Sequence, residues 1–556
     1  MERVLRQDTA TDSLVLAIQK VAERQPDAPA LIGRGGQGSR YTYAEMMRAV
    51  EQLAAGIRAQ RLLEPTEVGL LSENRPEWPI AYLAILAAGG TAVPIDANLS
   101  YAEIRQLVSR AGLRVVFASK QFGPVLNEHP DSPRWISLEP DHPGNWQSLR
   151  TEDVRGIPAD PSPTAVLIYT SGTTGLPKAV ELTHANLLDN LDCISRSLDF
   201  YPTDVFLSIL PLHHTFEATC GFLTPLTGGS SIVYARSLKS AEILEDIGNN
   251  KATIMCGVPL LFEKMYKSMR RKIAQATAAR RAMFRALYSS SELGWSLKQK
   301  WGRHLFASLR NKAGLGSIRM FVSGGAAMPP EVSRFFNMLG FDLMQGYGLT
   351  ECSPVVSVNR PANIRFGSVG PPLAGLEVRI DKPGPDGIGE ICVRGGSVSP
   401  GYRDNPVETA RMIRQGWLHT GDLGRLSEGH LWITGREKNL IVTAAGKNIY
   451  PEEIEEKLIA SDLILEAVVF GNRRDKASGG EDVHAVIVPD TEAVASRLRI
   501  SIDSVNPEAA ATVINDEVAR VNSEMAAFKR IARWRVQLEE LEKTSTQKVK
   551  RYVYKR

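Results

Sequence analysis

The densest chemistry in the chain lies in one run, Thr170-Ser-Gly-Thr-Thr-Gly-Leu-Pro-Lys178. Gly172 and Gly175 free backbone N–H groups. With the hydroxyls of Thr170, Ser171, Thr173 and Thr174 these can converge on an anion, while Lys178 supplies charge. An ordinary turn needs glycine, but not a cluster of hydroxyls and a lysine together. The run does not fit GxxxxGK[ST]: only two residues separate Gly172 from Gly175, Pro177 precedes the lysine and Ala179 follows it. A nucleotide phosphate is therefore expected here, held by something other than a Walker A helix.

Two other clusters invite a chemical reading. His213 and His214 are adjacent, with no carboxylate or cysteine next to them, which is not the spacing of a metal site. Between Lys264 and Lys312 there are thirteen Lys or Arg and a single acid, Glu292, interleaved with Phe284, Trp295, Trp301 and Phe306. One reading is the solvated face of one or two amphipathic helices. The other is a docking patch for an anionic membrane surface or an acidic carrier protein.

The elements that must position these residues follow from hydrophobic period. Helical spacing covers residues 12–24 and 43–60, and buried strands are expected near 67–72, 114–119, 165–169, 230–234 and 318–323. The uncharged stretch from Ile80 to Ile95 is broken by Gly89-Gly90 and Pro94 and falls short of the ~20 residues of a spanning helix. It reads as a buried helix running into a buried strand, and no transmembrane segment is expected. Around 365–435 glycine and proline become frequent and the apolar runs shorten, which predicts a β-rich subdomain with tight turns. After Arg436 come a helix start at Tyr450-Pro-Glu-Glu, strands near 467–470 and 484–489, and a helix over 509–528.

The expected fold is thus α/β. A large N-terminal domain, 1–435, holds parallel-sheet α/β subdomains and the β-rich subdomain, and a small α+β domain occupies 436–556. At 556 residues more than one core is required. A net charge of +4 gives no ground for nucleic-acid binding. Five scattered cysteines and an N-terminus without a continuous apolar stretch point to free thiols in a cytoplasmic protein.

Several ordered blocks resemble the adenylate-forming superfamily of acyl-CoA synthetases, luciferases and peptide-synthetase adenylation domains. YTSGTTGLPKAV resembles its phosphate loop, and LPLHHTFE (210–217) its histidine-bearing acid-site motif. VSGGAAM (322–328) and QGYGLTEC (345–352) resemble its adenine and metal motifs. LHTGDLG (418–424) resembles its ribose motif, GREKNLIVTAAGKNIYPEEIE (435–455) its hinge, and TSTQKVKR (544–551) its C-terminal lysine motif. The blocks run from residue 169 to 551 in the family's order.

The resemblance implies ATP and Mg²⁺ as cofactors and coenzyme A as acyl acceptor, and it gives each block a rationale. Joining a carboxylate to an α-phosphate brings two anions together, so cations must offset the repulsion. Glu351, with Thr350 beside it, is the candidate to hold Mg²⁺ on the ATP phosphates, joined by Thr174. Gly346 and Gly348 suggest a close backbone approach to a ligand. Gly324, Gly325, Ala326, Gln345 and Tyr347 fall to the nucleotide base, and Asp422 and Arg436 to the ribose. His214 stands beside the substrate carboxylate, with His213 as scaffold. Lys548 carries adenylation, its ammonium bridging carboxylate and α-phosphate; Gln547 stands where many members have glycine. The same resemblance makes the small domain mobile about a hinge near Lys438: one pose brings Lys548 in, and the other turns the strand at Ala444-Ala445-Gly446 toward a thiol, with Gly446 letting a pantetheine arm pass.

The insertion at 264–312 resembles long-chain fatty acyl-CoA synthetases more than short-acid, aryl-acid or amino-acid members. The expected activity is therefore an acid-thiol ligase. It would convert a medium- to long-chain fatty acid to acyl-AMP with pyrophosphate release, and then to acyl-CoA. A carrier-protein thiol as acceptor, or arrest at acyl-AMP, is the alternative. Phe216, Val258 and Gly324 are candidate acid-pocket residues. A luciferase-type monooxygenase would need a heterocyclic pocket that no motif reports. An assembly-line adenylation domain is disfavoured, since no carrier domain is expected after Arg556. The partners expected are the fatty acid, CoA or acyl carrier protein, and a peripheral contact with the inner face of the membrane.

Overall fold

The computed structural model describes residues 13–127, 132–154, 163–170, 178–444, 447–473, 480–543 and 549–555. Two compact units divide the chain, one of Met1–Val378 with Val393–His419 and the other of Arg379–Cys392 with Thr420–Arg556.

The first unit is built on two twisted sheets. In one, seven strands run in the order Gly401–Tyr402, Lys178–Thr183, Thr164–Thr170, Thr91–Pro94, Glu67–Leu71, Val115–Ala118, Arg134–Ser137. From Thr164–Thr170 onward in that order the neighbours are parallel, as expected for strands separated by helices. The strands flanking the phosphate loop depart from that pattern. Thr164–Thr170 and Lys178–Thr183 pair antiparallel, with Thr170 opposite Lys178. A seven-residue connection is too short for a parallel crossover, so the loop closes a hairpin.

The second sheet has eight strands, in the order Val355–Val358, Asp342–Gly348, Met320–Ser323, Ile254–Gly257, Val205–Ser208, Ser231–Tyr234, Pro29–Ile32, Arg40–Thr42. All but the two edge strands are parallel. The helix Glu77–Ala87 is buried on every side, so its sequence shows no polar face. It is followed by the buried strand Thr91–Pro94, as the uncharged run at 80–95 predicts. Surface helices start where their sequences say they should. Thr42 and Glu45, Ser100 and Glu103, and Thr183 and Asn186 each form a reciprocal cap that satisfies helix-end N–H groups.

In the second unit, strands Ile464–Arg473 and Glu481–Pro489 pair antiparallel and Arg533–Val536 joins in parallel. Helices Pro451–Ile459 and Pro507–Glu524 bury Ile454, Leu458, Ile514, Val518 and Val521 against the strand residues Val469, Ala485 and Ile487. This unit also holds most of the hairpin formed by Trp417–Ser427 and His430–Arg436. All five cysteine thiols are unbridged. No helix among the described residues is long and apolar enough to cross a membrane.

Candidate active site

Four adjacent parallel strands of the eight-stranded sheet end at one edge, and a sequence block leaves each of them. LPLHHTFE follows Val205–Ser208, Val258 follows Ile254–Gly257, Gly324-Gly325-Ala326 follow Met320–Ser323, and Gln345 to Gly348 close Asp342–Gly348. Register keeps them level: Gly257 is opposite Ser323, and Ser323 opposite Gln345. Crevices beyond the carboxyl ends of parallel strands are where such sheets take ligands.

The glycines have identifiable tasks. A Cβ on Gly348 would stand 2.0 Å from the Pro354 carbonyl, and one on Gly346 would stand 3.2 Å from that of Ser357. The close approach read from these two glycines is therefore to the neighbouring strand Val355–Val358, which leaves no room for a side chain. A Cβ on Gly324 would lie 3.2 Å from the Phe216 ring, which brings two candidate pocket residues together. Gly325 has φ +88° and open space around it, as a backbone N–H offered to a ligand requires.

Glu351 sits in the 3₁₀ turn Thr350–Cys352. One carboxylate oxygen accepts a 2.8 Å hydrogen bond from the Tyr402 hydroxyl. Burial and the Glu351 charge together push the Tyr402 phenol well above its ordinary range, so it stays a donor. The Thr350 hydroxyl lies 3.0 Å from that of Thr215, in the histidine block. Asn190, fully buried, fixes the turn from below. Its amide donates to the Val355 carbonyl at 2.8 Å and to that of Cys352 at 3.3 Å, and it accepts from the Val355 N–H at 3.2 Å. The Ser399 N–H donates to the Glu351 carbonyl at 2.9 Å. A carboxylate and two hydroxyls held this way are the hard oxygen donors that Mg²⁺ takes, so the residues fit that ion.

Lys178, at the end of the phosphate hairpin, reaches the same residues. Its ammonium lies 5.1 Å from the centre of the Tyr402 ring and pairs with Glu408. Strand Gly401–Tyr402 lies antiparallel to Lys178–Thr183, so Tyr402 is brought in by sheet pairing across more than 200 residues. That distance hides Tyr402 from sequence reasoning, and the 162 and 165 positions between Asn190 and its partners hide Asn190.

In the histidine block the ring centroids of His213 and His214 lie 4.0 Å apart. His213 Nε2 is 3.3 Å from Asp96, a buried carboxylate contributed by the other sheet. The fold therefore brings an acid from a distant strand end to His213, which lies deeper than the more exposed His214. Glu217, the last residue of the block, opens a π-helical segment, Glu217–Leu223, and is 1% exposed. Its one hydrogen bond among the described residues comes from the Ser208 hydroxyl at 2.6 Å. Burial pushes its carboxyl from the ordinary 4.5 up to about 8, so it is neutral at pH 7. An acid inside an otherwise uncharged run, Thr215 to Tyr234, was the signal available in sequence.

In the second unit, Asp422 and Arg436 stand opposite each other across the hairpin, and the Arg436 Nε is 2.7 Å from the Asp422 carboxylate. The two residues assigned to one sugar thus form one preassembled ion pair. Lys438 follows in the 3₁₀ turn Glu437–Asn439. Burial, and then Arg436, lower its pKa. Ser171, Gly172, Thr173, Thr174, Gly175, Gly446 and Lys548 lie outside the described residues. The chain on either side of Lys548 is anchored. Lys543 pairs with Glu466, Lys543 bridges to Val549, and Arg551 pairs with Glu455 at 2.6 Å and Glu452 at 3.3 Å. The basic C-terminal run is therefore not simply a solvated tail.

This arrangement of strand-end loops can be set beside known proteins. The AMP-binding enzyme family matches residues 18–403, and the AMP-binding enzyme C-terminal domain matches 438–556. The chain belongs to the AMP-binding enzyme family. Members of this adenylate-forming group that it resembles include the long-chain-fatty-acid–CoA ligase FadD15 of Mycobacterium bovis, 31% identical over 78% of this chain and 75% of that protein. The peroxisomal long chain acyl-CoA synthetase 7 of Arabidopsis thaliana is 28% identical over 84% of this chain and 71% of that one. The chloroplastic long-chain-fatty-acid–[acyl-carrier-protein] ligase AEE15 of the same plant is 26% identical over 81% and 72%. Among solved structures, ATP-bound MatB from Rhodopseudomonas palustris superposes with a TM-score of 0.77 at 24% identity, covering 97% of this chain and 98% of that one. That likeness concerns the fold.

Two outcomes follow for this family member. Tyr402→Phe keeps the ring beneath Lys178 but removes a hydrogen bond to a charged carboxylate, a contact typically worth about 1.5–3 kcal/mol. Pyrophosphate exchange at limiting Mg²⁺ should fall roughly 10- to 100-fold, while the melting temperature drops by only a few degrees. The second concerns Glu217, whose folded pKa is raised. As pH climbs from about 4.5 to 8 the unfolded chain ionises there while the folded chain keeps its proton, so folding stability falls, by roughly 4–5 kcal/mol from this group. Glu217→Gln should abolish that loss, and the difference between variant and wild-type unfolding midpoints at pH 5 and pH 8 measures it.

Proposed function

We propose that this enzyme activates a medium- to long-chain fatty acid as acyl-AMP and passes the acyl group to coenzyme A. The observation that carries the reading is the joined constellation of Lys178, Tyr402, Glu351, Thr350 and Thr215, which ties the phosphate hairpin to the histidine block through ring, hydroxyl and carboxylate contacts. It suits a reaction in which a carboxylate and a polyphosphate are brought together. The acid class is supported by the likeness to long-chain acyl-CoA ligases over most of the chain.

In this reading a fatty carboxylate oxygen attacks the α-phosphorus of ATP, the bond to the β-phosphate oxygen breaks, and pyrophosphate leaves. Lys178 offsets phosphate charge, and His214, backed by His213 and Asp96, orients the carboxylate. Asp422 and Arg436 meet the ribose, and the backbone at Gly324 to Ala326 and Gln345 to Gly348 meets the base. Mg²⁺, held by Glu351 with Thr350 and the family's Thr174, would supply charge neutralisation when bound. Lys548 bridges the two reacting anions. In the second half-reaction a thiolate attacks the acyl carbon and AMP departs, with rotation about Lys438 bringing Gly446 to the pantetheine arm. A carrier-protein thiol is the competing acceptor, supported by the likeness to an acyl-carrier-protein ligase.

Purified protein with ATP, Mg²⁺ and acids from acetate to stearate, offered CoA and acyl carrier protein in parallel, tests this by product analysis. Acyl-CoA from long-chain acids is expected. Faster turnover of acetate or benzoate would refute the acid class, and thioester on carrier protein alone would refute the acceptor. In the same assay Lys548→Ala should lower pyrophosphate release by about 10²-fold or more. Unchanged release would remove Lys548 from the adenylation step.

A further inference from the structure

Helix Ala278–Ser296 is apolar on two sides. Its inner face is aromatic: Phe284 packs 5.4 Å from Phe306 between ring centroids, and Tyr288 lies 6.2 Å from Phe335. Its outer face is exposed. Met283, Ala286, Ser290 and Leu293 fall within about 80° of helical arc, and Leu297 follows one turn on. Met283 is 60% exposed, and Leu293 and Leu297 each 57%. Trp301, which lies over Gly294, is 40% exposed, and Leu309 is 45% exposed. A globular protein gains nothing by leaving these large side chains in water within one short segment.

The same segment carries exposed basic groups. Lys264, Arg270, Arg271, Lys272, Arg280, Arg285, Lys298, Arg303 and Lys312 are all exposed. Glu292, the one acid between 264 and 312, is paired with Arg334 at 2.8 Å. Solvated helices explain the charges but not the leucines. A bilayer with anionic headgroups uses both: long basic side chains meet phosphates while Met283, Leu293 and Leu297 enter the acyl boundary. We propose that the outer face of helices Ala278–Ser296 and Ala307–Lys312 docks this enzyme on an anionic lipid surface.

The test is flotation of the full-length protein with unilamellar vesicles of phosphatidylcholine, with or without roughly one third phosphatidylglycerol. Binding should be about tenfold greater with the anionic lipid and should weaken at about 0.5 M NaCl. Arg280→Glu/Arg285→Glu/Lys298→Glu should lower it about tenfold. Leu293→Ser/Leu297→Ser, which leaves charge unchanged, should also lower it several-fold. Both variants should keep wild-type pyrophosphate exchange with a soluble acid, which shows that they are folded. No preference for anionic vesicles, or full binding by the leucine variant, overturns the proposal. So does retention on immobilised acyl carrier protein that the arginine variant loses while vesicles bind neither protein.

Discussion

The turn at Thr350–Cys352 exists to hold one carboxylate in a fixed direction, and much of the first unit converges on it. Glu351 cannot be placed by its own backbone, because a 3₁₀ turn of three residues has little stiffness of its own. Its position comes from outside: Tyr402 on one carboxylate oxygen, Ser399 on its carbonyl, and Asn190 on the residues that follow. Asn190 lies on the helix His184–Ser197, which begins directly after the second strand of the phosphate hairpin. The strand that presents Lys178 thus leads directly into the helix whose Asn190 clamps the turn carrying Glu351.

That coupling explains why so many polar groups are buried here at acceptable cost. The buried Asn190 amide answers backbone groups that would otherwise lose their hydrogen bonds, and an unmet group of that kind costs about 1–3 kcal/mol. Glu217 is the contrasting case. It has one hydrogen bond among the described residues and remains neutral, which spares the core a charge and leaves a titratable acid two residues from Thr215. The π-helical start at the same residue marks a segment where regular packing has yielded to local demands.

The second unit uses ion pairs differently. Asp422 and Arg436 are partners in a β-ladder, so the sheet register sets their separation. Arg551, three residues beyond Lys548, is half-buried against Glu455 and Glu452. Removing one member of such a group would strand a half-buried charge, so the C-terminal run has a structural reason to stay in place independent of any reaction.

Much of this was legible in the sequence. The Gly-rich strand ends and the alternation of strands with helices rest on local signals, glycine where a Cβ cannot fit and apolar residues at period two or 3.6, whereas the antiparallel pairing of Thr164–Thr170 with Lys178–Thr183 did not follow from them. The buried helix at 77–87 announced itself by having no polar face. The two-sided character of the helix at 278–296 did not, because a periodic pattern gives the spacing of apolar residues but not which of them find a partner. Tyr402, Asn190 and Asp96 were also invisible: each reaches its site through a contact with a residue more than 50 positions away. Sequence fixes what a residue can do chemically, since donor, acceptor and charge belong to the side chain. Which carboxylate meets which phenol, and which acid is left neutral in the core, is decided only when distant strands pair and exclude water.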